Sequence, residues 1–353
     1  MNQNLTIERI TDDNLHAVWA SCTEIVRSMA YPSFFCCGDW LKTSAENLCS
    51  ADELFILLVK RDGCVRAVLP LVKKRNALGG RDLRFLGTDY YPDPVGLISS
   101  LSDRAACAKA LQDYLIKVPG WDRFFLDWVL EDELIDWKLP GKPISVAPFK
   151  VLPLNFADLL GEFKQKKRYN LRSMVRKFLD AGGELVTSSD ANTHNVFLEA
   201  LFTLHRKRAT ERAIESSIED PRIQMFHRRL VKETEKVRFY GLSLDHQLVA
   251  VIYGFEFENR FFYYQVAHDP GYGDLSPGSV LLFLVIEDCC SRGVMEFNFL
   301  QGDESYKGIW TDESRILYLC VLKGGTWRSR LLDAVEQANG FRKIALGWMG
   351  RGT

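Results

Sequence analysis

One order of elements occurs twice along this chain, and that repeat limits the fold more than any other feature of the sequence. In the first half, the β-rich runs Leu54 to Lys60 and Val65 to Lys73 flank Arg61-Asp62-Gly63-Cys64, an Asp-Gly hairpin turn. A short strand at Arg84 to Gly87, a Pro-rich loop, a helix over about 103–117 and the apolar strand Phe124 to Val129 follow. In the second half, Val237 to Leu244 and Leu248 to Phe257 flank Asp245-His246-Gln247, and Arg260 to Ala267 gives a third strand. A Gly/Pro loop, a helix over about 279–290, a turn at Arg292-Gly293 and the strand Val294 to Phe299 complete the second copy. Asp62 and Asp245 stand 183 residues apart and Gly120 and Gly293 stand 173 apart, so the copies differ by about one loop. The expected class is α/β with a mixed sheet, built as two lobes.

A length of 353 residues suits two domains, each able to bury a core. The stretch from Pro140 to Pro153 carries four prolines and reads as a connector with a strand near Phe149 to Leu152. The lobes are therefore expected at 1–150 and 151–353. The chain opens with a β-like stretch, Leu5 to Ile10, and then Asp12 and Asp13 as N-cap candidates for a helix reaching about Met29. Just after the connector, the segment from Lys164 to Leu179 is apolar at Leu171, Met174, Val175, Phe178 and Leu179, an amphipathic helix ended by Gly182-Gly183. Its other face is basic and includes Lys166, Lys167, Arg168 and Arg172; a second helix over about 195–212 adds Arg206, Lys207, Arg208 and Arg212.

Composition removes several classes of function. The 45 Lys and Arg offset 46 Asp and Glu to a formal charge of −1, so no DNA partner is expected and any polyanion contact must be local. Nine cysteines, an odd number without a Cys-x-x-Cys, predict reduced and mostly buried thiols. No His or Cys spacing suggests a metal site. The first residues lack a basic and apolar leader, and the longest clean apolar run, Val280 to Ile286, is far too short to span a bilayer. A cytoplasmic protein is the expectation.

Two segments carry candidate chemistry. From Tyr263 a strand runs into His268-Asp269-Pro270-Gly271-Tyr272-Gly273-Asp274-Leu275-Ser276-Pro277-Gly278-Ser279, which feeds an apolar helix. A strand, a Gly-rich loop and a helix N-terminus aim backbone N–H groups and the positive dipole end at one point, where an anionic phosphate would bind; a plain loop with a Ser-capped helix is the alternative. The second segment, Gln301-Gly302-Asp303-Glu304-Ser305-Tyr306-Lys307, lies just beyond the next strand, where α/β folds present ligand groups. A solvated turn capped by Asp303 would explain it equally. His268 beside Asp269 has the makings of a general base, and of a packed or capping imidazole.

In series, the basic helix from Lys164 to Phe178, the hairpin, Ser276-Pro277-Gly278 and Gly302-Asp303-Glu304-Ser305-Tyr306-Lys307 resemble the C-terminal acetyltransferase domain of the GNAT superfamily, in the branch of CelD-like polysaccharide-biosynthesis proteins and Fem-type transferases. The resemblance spans about residues 155–325. It implies tandem GNAT-like folds and acyl transfer from acyl-CoA, as co-substrate, to an amine. The acceptor would be a small, lipid-linked or nucleotide-linked amine such as an amino-sugar or envelope precursor. It further implies a pantetheine chain along splayed strands, with Val266 or Ala267 offering an oxyanion N–H, and a pyrophosphate held by Gly271, Ser276, Pro277, Gly278 and Ser279. Glu304 or Asp303 would be the base and Tyr306 the acid; Lys307, Lys167, Arg168 and Arg172 would bind an anionic part of the substrate. The N-terminal copy has Asp93-Pro94-Val95-Gly96 in place of Ser276-Pro277-Gly278 and lacks a Tyr-Lys element, which implies a non-catalytic lobe. A Fem-type transferase using aminoacyl-tRNA is the next reading, disfavoured because neither lobe carries a long charged helical hairpin. A silent ligand-binding or scaffold protein is the third.

Overall fold

A computed structural model describes residues 5–10, 14–88, 94–188, 190–212, 217–332 and 334–335. Asp12, Asp13 and Asp93 lie outside the described residues.

In the first half, strands β1 (Leu5–Ile10), β2 (Leu54–Arg61), β3 (Cys64–Arg75) and β4 (Arg81–Phe85) are antiparallel neighbours, and β5 (Ile98–Ser99) pairs off β3. Helices α1 (Leu15–Ile25), α2 (Gly38–Leu48) and α3 (Leu101–Leu115) lie between them in sequence, and β6 (Arg123–Val129) runs parallel to β4. The second half repeats this order with β8 (Glu184–Thr187), helices α7 (Ala191–Arg212) and α8 (Pro221–Glu233), strands β9 (Val237–Leu244), β10 (Gln247–Phe257) and β11 (Arg260–His268), helix α9 (Pro277–Ser291) and β12 (Glu296–Asn298). Both hairpins turn through two consecutive left-handed residues, Asp62 and Gly63 in one, Asp245 and His246 in the other, the conformation whose twist matches the flanking strands. Phe124 opposes Leu83 in the first parallel pair and Phe297 opposes Phe261 in the second. The first of these strands carries a left-handed residue other than glycine near its end, Trp128 (φ 62°), and the second leads into one, Leu300 (φ 58°).

The stretch between the copies is not a connector. Glu131–Trp137 forms α4, and Lys142–Val151 forms β7, a ten-residue strand in the middle of the sheet. Proline is tolerated here because it lacks only the donor: the Pro148 carbonyl still accepts from Phe299 N–H at 2.9 Å. The last strand, β13 (Ser314–Lys323), pairs with β7 on one side and with β6 of the first copy on the other, while β7 pairs with β12 of the second. The two copies thus exchange their final strands and merge into one sheet in the order β1-β2-β3-β4-β6-β13-β7-β12-β11-β10-β9-β8.

The apolar core follows the same exchange. The segment between α1 and α2 inserts Phe34 and Phe35 from the first half against Phe255 and Phe262 of the second; the Phe34 and Phe255 rings stack at 4.1 Å, and Trp40 of α2 meets Phe226 of α8 at 5.0 Å. On the opposite face of the second half, α9 packs with α5 (Phe156–Gly161) and the amphipathic α6 (Gln165–Asp180). All nine cysteines are free thiols and seven are buried. Among the described residues, no helix is long and apolar enough to cross a membrane, and no group of three or more His, Cys, Asp and Glu is placed to hold a metal ion.

Candidate active site

Strands β11 and β12 pair only from Arg260 opposite Glu296 to Phe262 opposite Asn298. Beyond that point they diverge. β11 stays hydrogen-bonded to β10 as far as His268, so its other edge faces an opening, and of the neighbours Val266 and Ala267 one presents its backbone amide there. Both α9 and the segment after β12 open toward the same end.

The loop leaving β11 turns through a short 3-10 helix, Pro270–Leu275, whose first amide at Gly271 is capped by Asp269 Oδ1 at 3.0 Å. Ser276 then adopts a left-handed conformation and makes no side-chain cap. Its carbonyl accepts from Ser279 and Val280 at 3.0 and 3.1 Å, while Pro277 has no N–H, leaving Gly278 as the first amide of the helix. A Cβ on Gly278 would come within 3.0 Å of His268 Nδ1, so glycine lets the imidazole lie over the helix N-terminus. Two helices clamp this loop: Lys207 of α7 bonds Asp269 at 2.6 Å, and Lys177 of α6 donates to the Asp274 carbonyl at 2.8 Å.

Across the opening, the ring of Tyr306 meets that of the buried Tyr263 of β11 edge to face, with ring centroids 6.3 Å apart. Burial pushes the Tyr306 hydroxyl up to about 12, aided by the nearby Glu304 charge and opposed by Tyr263 and Arg208. Burial raises Tyr263 as well. Arg208 lies close enough to act on both phenols, and burial pushes His205, one turn before it on α7, down to about 4. Neither Tyr263 nor the part played by Arg208 was legible in sequence. One sits inside an apolar strand and the other among several basic residues of one helix.

The remaining candidates separate. Asp303 and Glu304 are exposed, with Glu304 Oε2 2.8 Å from Lys307 Nζ. Lys307 itself is only 3% exposed, and its ammonium donates to the carbonyls of Leu300, Gln301 and Gly302 at 3.2, 2.7 and 3.4 Å. Its donors are occupied by the loop that carries Glu304 and Tyr306. Arg168 donates to the Gly161 and Phe163 carbonyls at the end of α5, and the Lys167 ammonium lies 3.8 Å from the Phe163 ring centre. Arg172 lines a groove of about 520 Å³ between α5, α6 and the middle of α9. The structure thus sets His268 over Gly278 and Tyr263 against Tyr306 within reach of the Arg208 charge, with Glu304 two residues before Tyr306 on the same segment, and directs the contacts of Lys167, Arg168 and Arg172 elsewhere.

Residues 165–308 match the Acetyltransferase (GNAT) domain family. No curated protein matches the chain. Among solved structures, FemX superposes with a TM-score of 0.62 at 12% identity, over 89% of this chain and 97% of that one. The C-terminal domain of a putative lysylphosphatidylglycerol synthetase from Agrobacterium fabrum gives 0.59 at 11% identity over 91% and 96%, and L-PGS from Bacillus licheniformis 0.57 at 12% over 90% and 94%. At these identities the likeness is one of fold. The architecture is two lobes of mixed α/β structure with a GNAT-like fold, and the family match falls within the second.

Proposed function

We propose that the second lobe is an N-acyltransferase that moves an acyl group from acyl-CoA to an amine. The observation that carries this reading is the meeting of three features at one opening: the unpaired edge of β11, the Gly278 amide at the start of α9, and the Tyr263–Tyr306 pair. An extended pantetheine chain can pair with the strand edge, and its pyrophosphate suits a helix N-terminus whose first side chains are Pro277 and Gly278. Held there, the thioester carbonyl lies near Val266 and Ala267, one of which supplies the N–H for the tetrahedral oxyanion.

The amine nitrogen attacks the carbonyl carbon as Glu304 takes its proton, and the carbon–sulfur bond then breaks. A thiol, with a pKa of ~8.5, is a stronger acid than Tyr306. The phenol therefore serves the departing sulfur as a hydrogen-bond donor, and the proton removed from the amine balances the thiol that is released. In the first lobe the equivalent opening is filled by the chain's own segment: Val95 N–H donates to the Trp128 carbonyl at 3.3 Å and Leu97 N–H to Glu133 at 2.8 Å. That filling supports a first lobe that braces the second without turning over substrate. The acceptors with which to test the reading are amino-sugars and other primary amines of envelope and polysaccharide precursors.

The test is Tyr306→Phe beside Glu304→Gln. Losing the donor to sulfur should lower kcat by roughly 10²–10³-fold with acyl-CoA affinity unchanged, and losing the base in Glu304→Gln should lower kcat by roughly 10²–10⁴-fold. Full turnover in both variants would remove these two residues from the mechanism.

A further inference from the structure

A buried strut reaches from the first lobe to the segment that bears Glu304 and Tyr306. Asn298, the last residue of β12, is wholly buried. Its Nδ2 donates to the Tyr31 hydroxyl at 2.6 Å, and its Oδ1 accepts from the backbone N–H of Leu300 at 2.7 Å. Tyr31 stands between α1 and α2 of the first lobe and in turn donates to Glu296 Oε1 at 3.2 Å. Arg315 of β13 grips both oxygens of Glu296 at 3.0 and 2.7 Å, and the guanidinium groups of Arg315 and Arg260 lie 4.6 and 4.9 Å from the Tyr31 ring centre. Tyr31 is thus fixed from three elements.

Leu300 is where the strut delivers its effect. A left-handed backbone is unfavourable for leucine, whose Cβ crowds the following carbonyl. Here both of its backbone groups are captured, the N–H by Asn298 and the carbonyl by Lys307. Lys307 also holds the next two carbonyls and pairs with Glu304. Residues 300–307 therefore hang between two buried anchors, and one of these depends on a hydroxyl of the other lobe.

We propose that Tyr31 and Asn298 are positioning residues for acyl transfer, through which the first lobe sets the aim of Glu304 and Tyr306. This inference rests on the function proposed above. Neither residue touches the thioester; each acts by fixing the left-handed turn at Leu300, and misplacement of a reacting group by about 1 Å costs on the order of 10²-fold.

The experiment uses the full chain and the variant Tyr31→Phe, which keeps the ring between the two guanidinium groups and removes a single oxygen. Amide hydrogen exchange should quicken roughly fivefold or more over residues 299–307, as the loss of one net hydrogen bond predicts, and stay unchanged in β9 and β10. The kcat should fall between roughly 10- and 10²-fold while KM for acyl-CoA stays within twofold. Asn298→Ala, if it folds, should show the same pattern more strongly. Exchange that is unchanged, or that quickens everywhere alike, would overturn the strut, and so would normal turnover in Tyr31→Phe. If the wild-type chain releases no thiol with any amine, the proposed function falls instead, and the exchange pattern still decides whether Tyr31 holds the segment.

Discussion

Replacing Glu133 by Gln isolates a buried carboxyl that Leu97 and Trp137 hold by hydrogen bonds. Glu133 is 4% exposed at the start of α4; its Oε1 accepts from Leu97 N–H and Trp137 Nε1, both at 2.8 Å, and Arg104 lies 3.8 Å from its Oε2. Burial pushes its carboxyl up from the ordinary 4.5 to about 7, against the pull of those donors and of Arg104. The folded state therefore binds the proton more tightly than the unfolded chain. The stability this lends is complete below about pH 4.5 and is lost as pH rises through 7. At 1.36 kcal/mol per pH unit, that interval corresponds to roughly 3 kcal/mol. Glutamine keeps an acceptor oxygen and has no such proton to lose, and Arg104 retains Asp132 at 2.9 Å and also Asp136. Urea unfolding of both proteins at pH 5 and pH 8.5 should show the difference between them moving by roughly 3 kcal/mol in favour of the variant at the higher pH. Parallel pH profiles for the two proteins would refute the assignment of a neutral, buried Glu133.

Two further outcomes follow from the shared core and from the helix N-terminus. Phe34→Ala removes a ring stacked on Phe255 of the other lobe; it should cost about 3–5 kcal/mol and leave a single calorimetric transition, whereas two separated transitions would contradict one core spanning both lobes. Ser279→Asp places a negative charge in the first turn of α9, which should stabilise the helix by about 0.3–1 kcal/mol yet weaken acyl-CoA binding measured by titration calorimetry. Unaltered acyl-CoA affinity would remove the phosphate from that site.

Local signals carried much of the fold. The hairpin turns at Asp62-Gly63 and Asp245-His246, the apolar strands holding Phe124 and Phe297 and the heptad-like spacing of Leu171, Val175 and Phe178 are short-range patterns, and each predicted its element. The exchange of β7 and β13 was not legible, because four prolines read as a connector and a strand's partner is a property of tertiary pairing. For the same reason no local pattern marks α2: Trp40 is buried by Phe226 and Tyr264, residues nearly two hundred or more positions away. In the site, the loop from His268 to Ser279 and the segment from Glu304 to Lys307 stood out because Gly, Pro and titratable residues cluster there. Charge alone did not separate roles. Lys307 reads like a substrate ligand and is a buried brace, while Arg208 looks like one basic residue among several and faces the two tyrosines.

The proposed acyl transfer requires the opening between β11 and β12 to hold a thioester whose sulfur leaves when an amine attacks. The direct measurement is release of free CoA thiol from acetyl-CoA and longer acyl-CoAs by the purified wild-type chain, with and without a panel of primary amines that includes amino-sugars. Thiol release that requires an amine, matched mole for mole by the N-acylated product and abolished by Ser279→Asp at low acyl-CoA, is the predicted result. No thiol release with any amine, alongside transfer of an aminoacyl group from charged tRNA to the same acceptors, would contradict it.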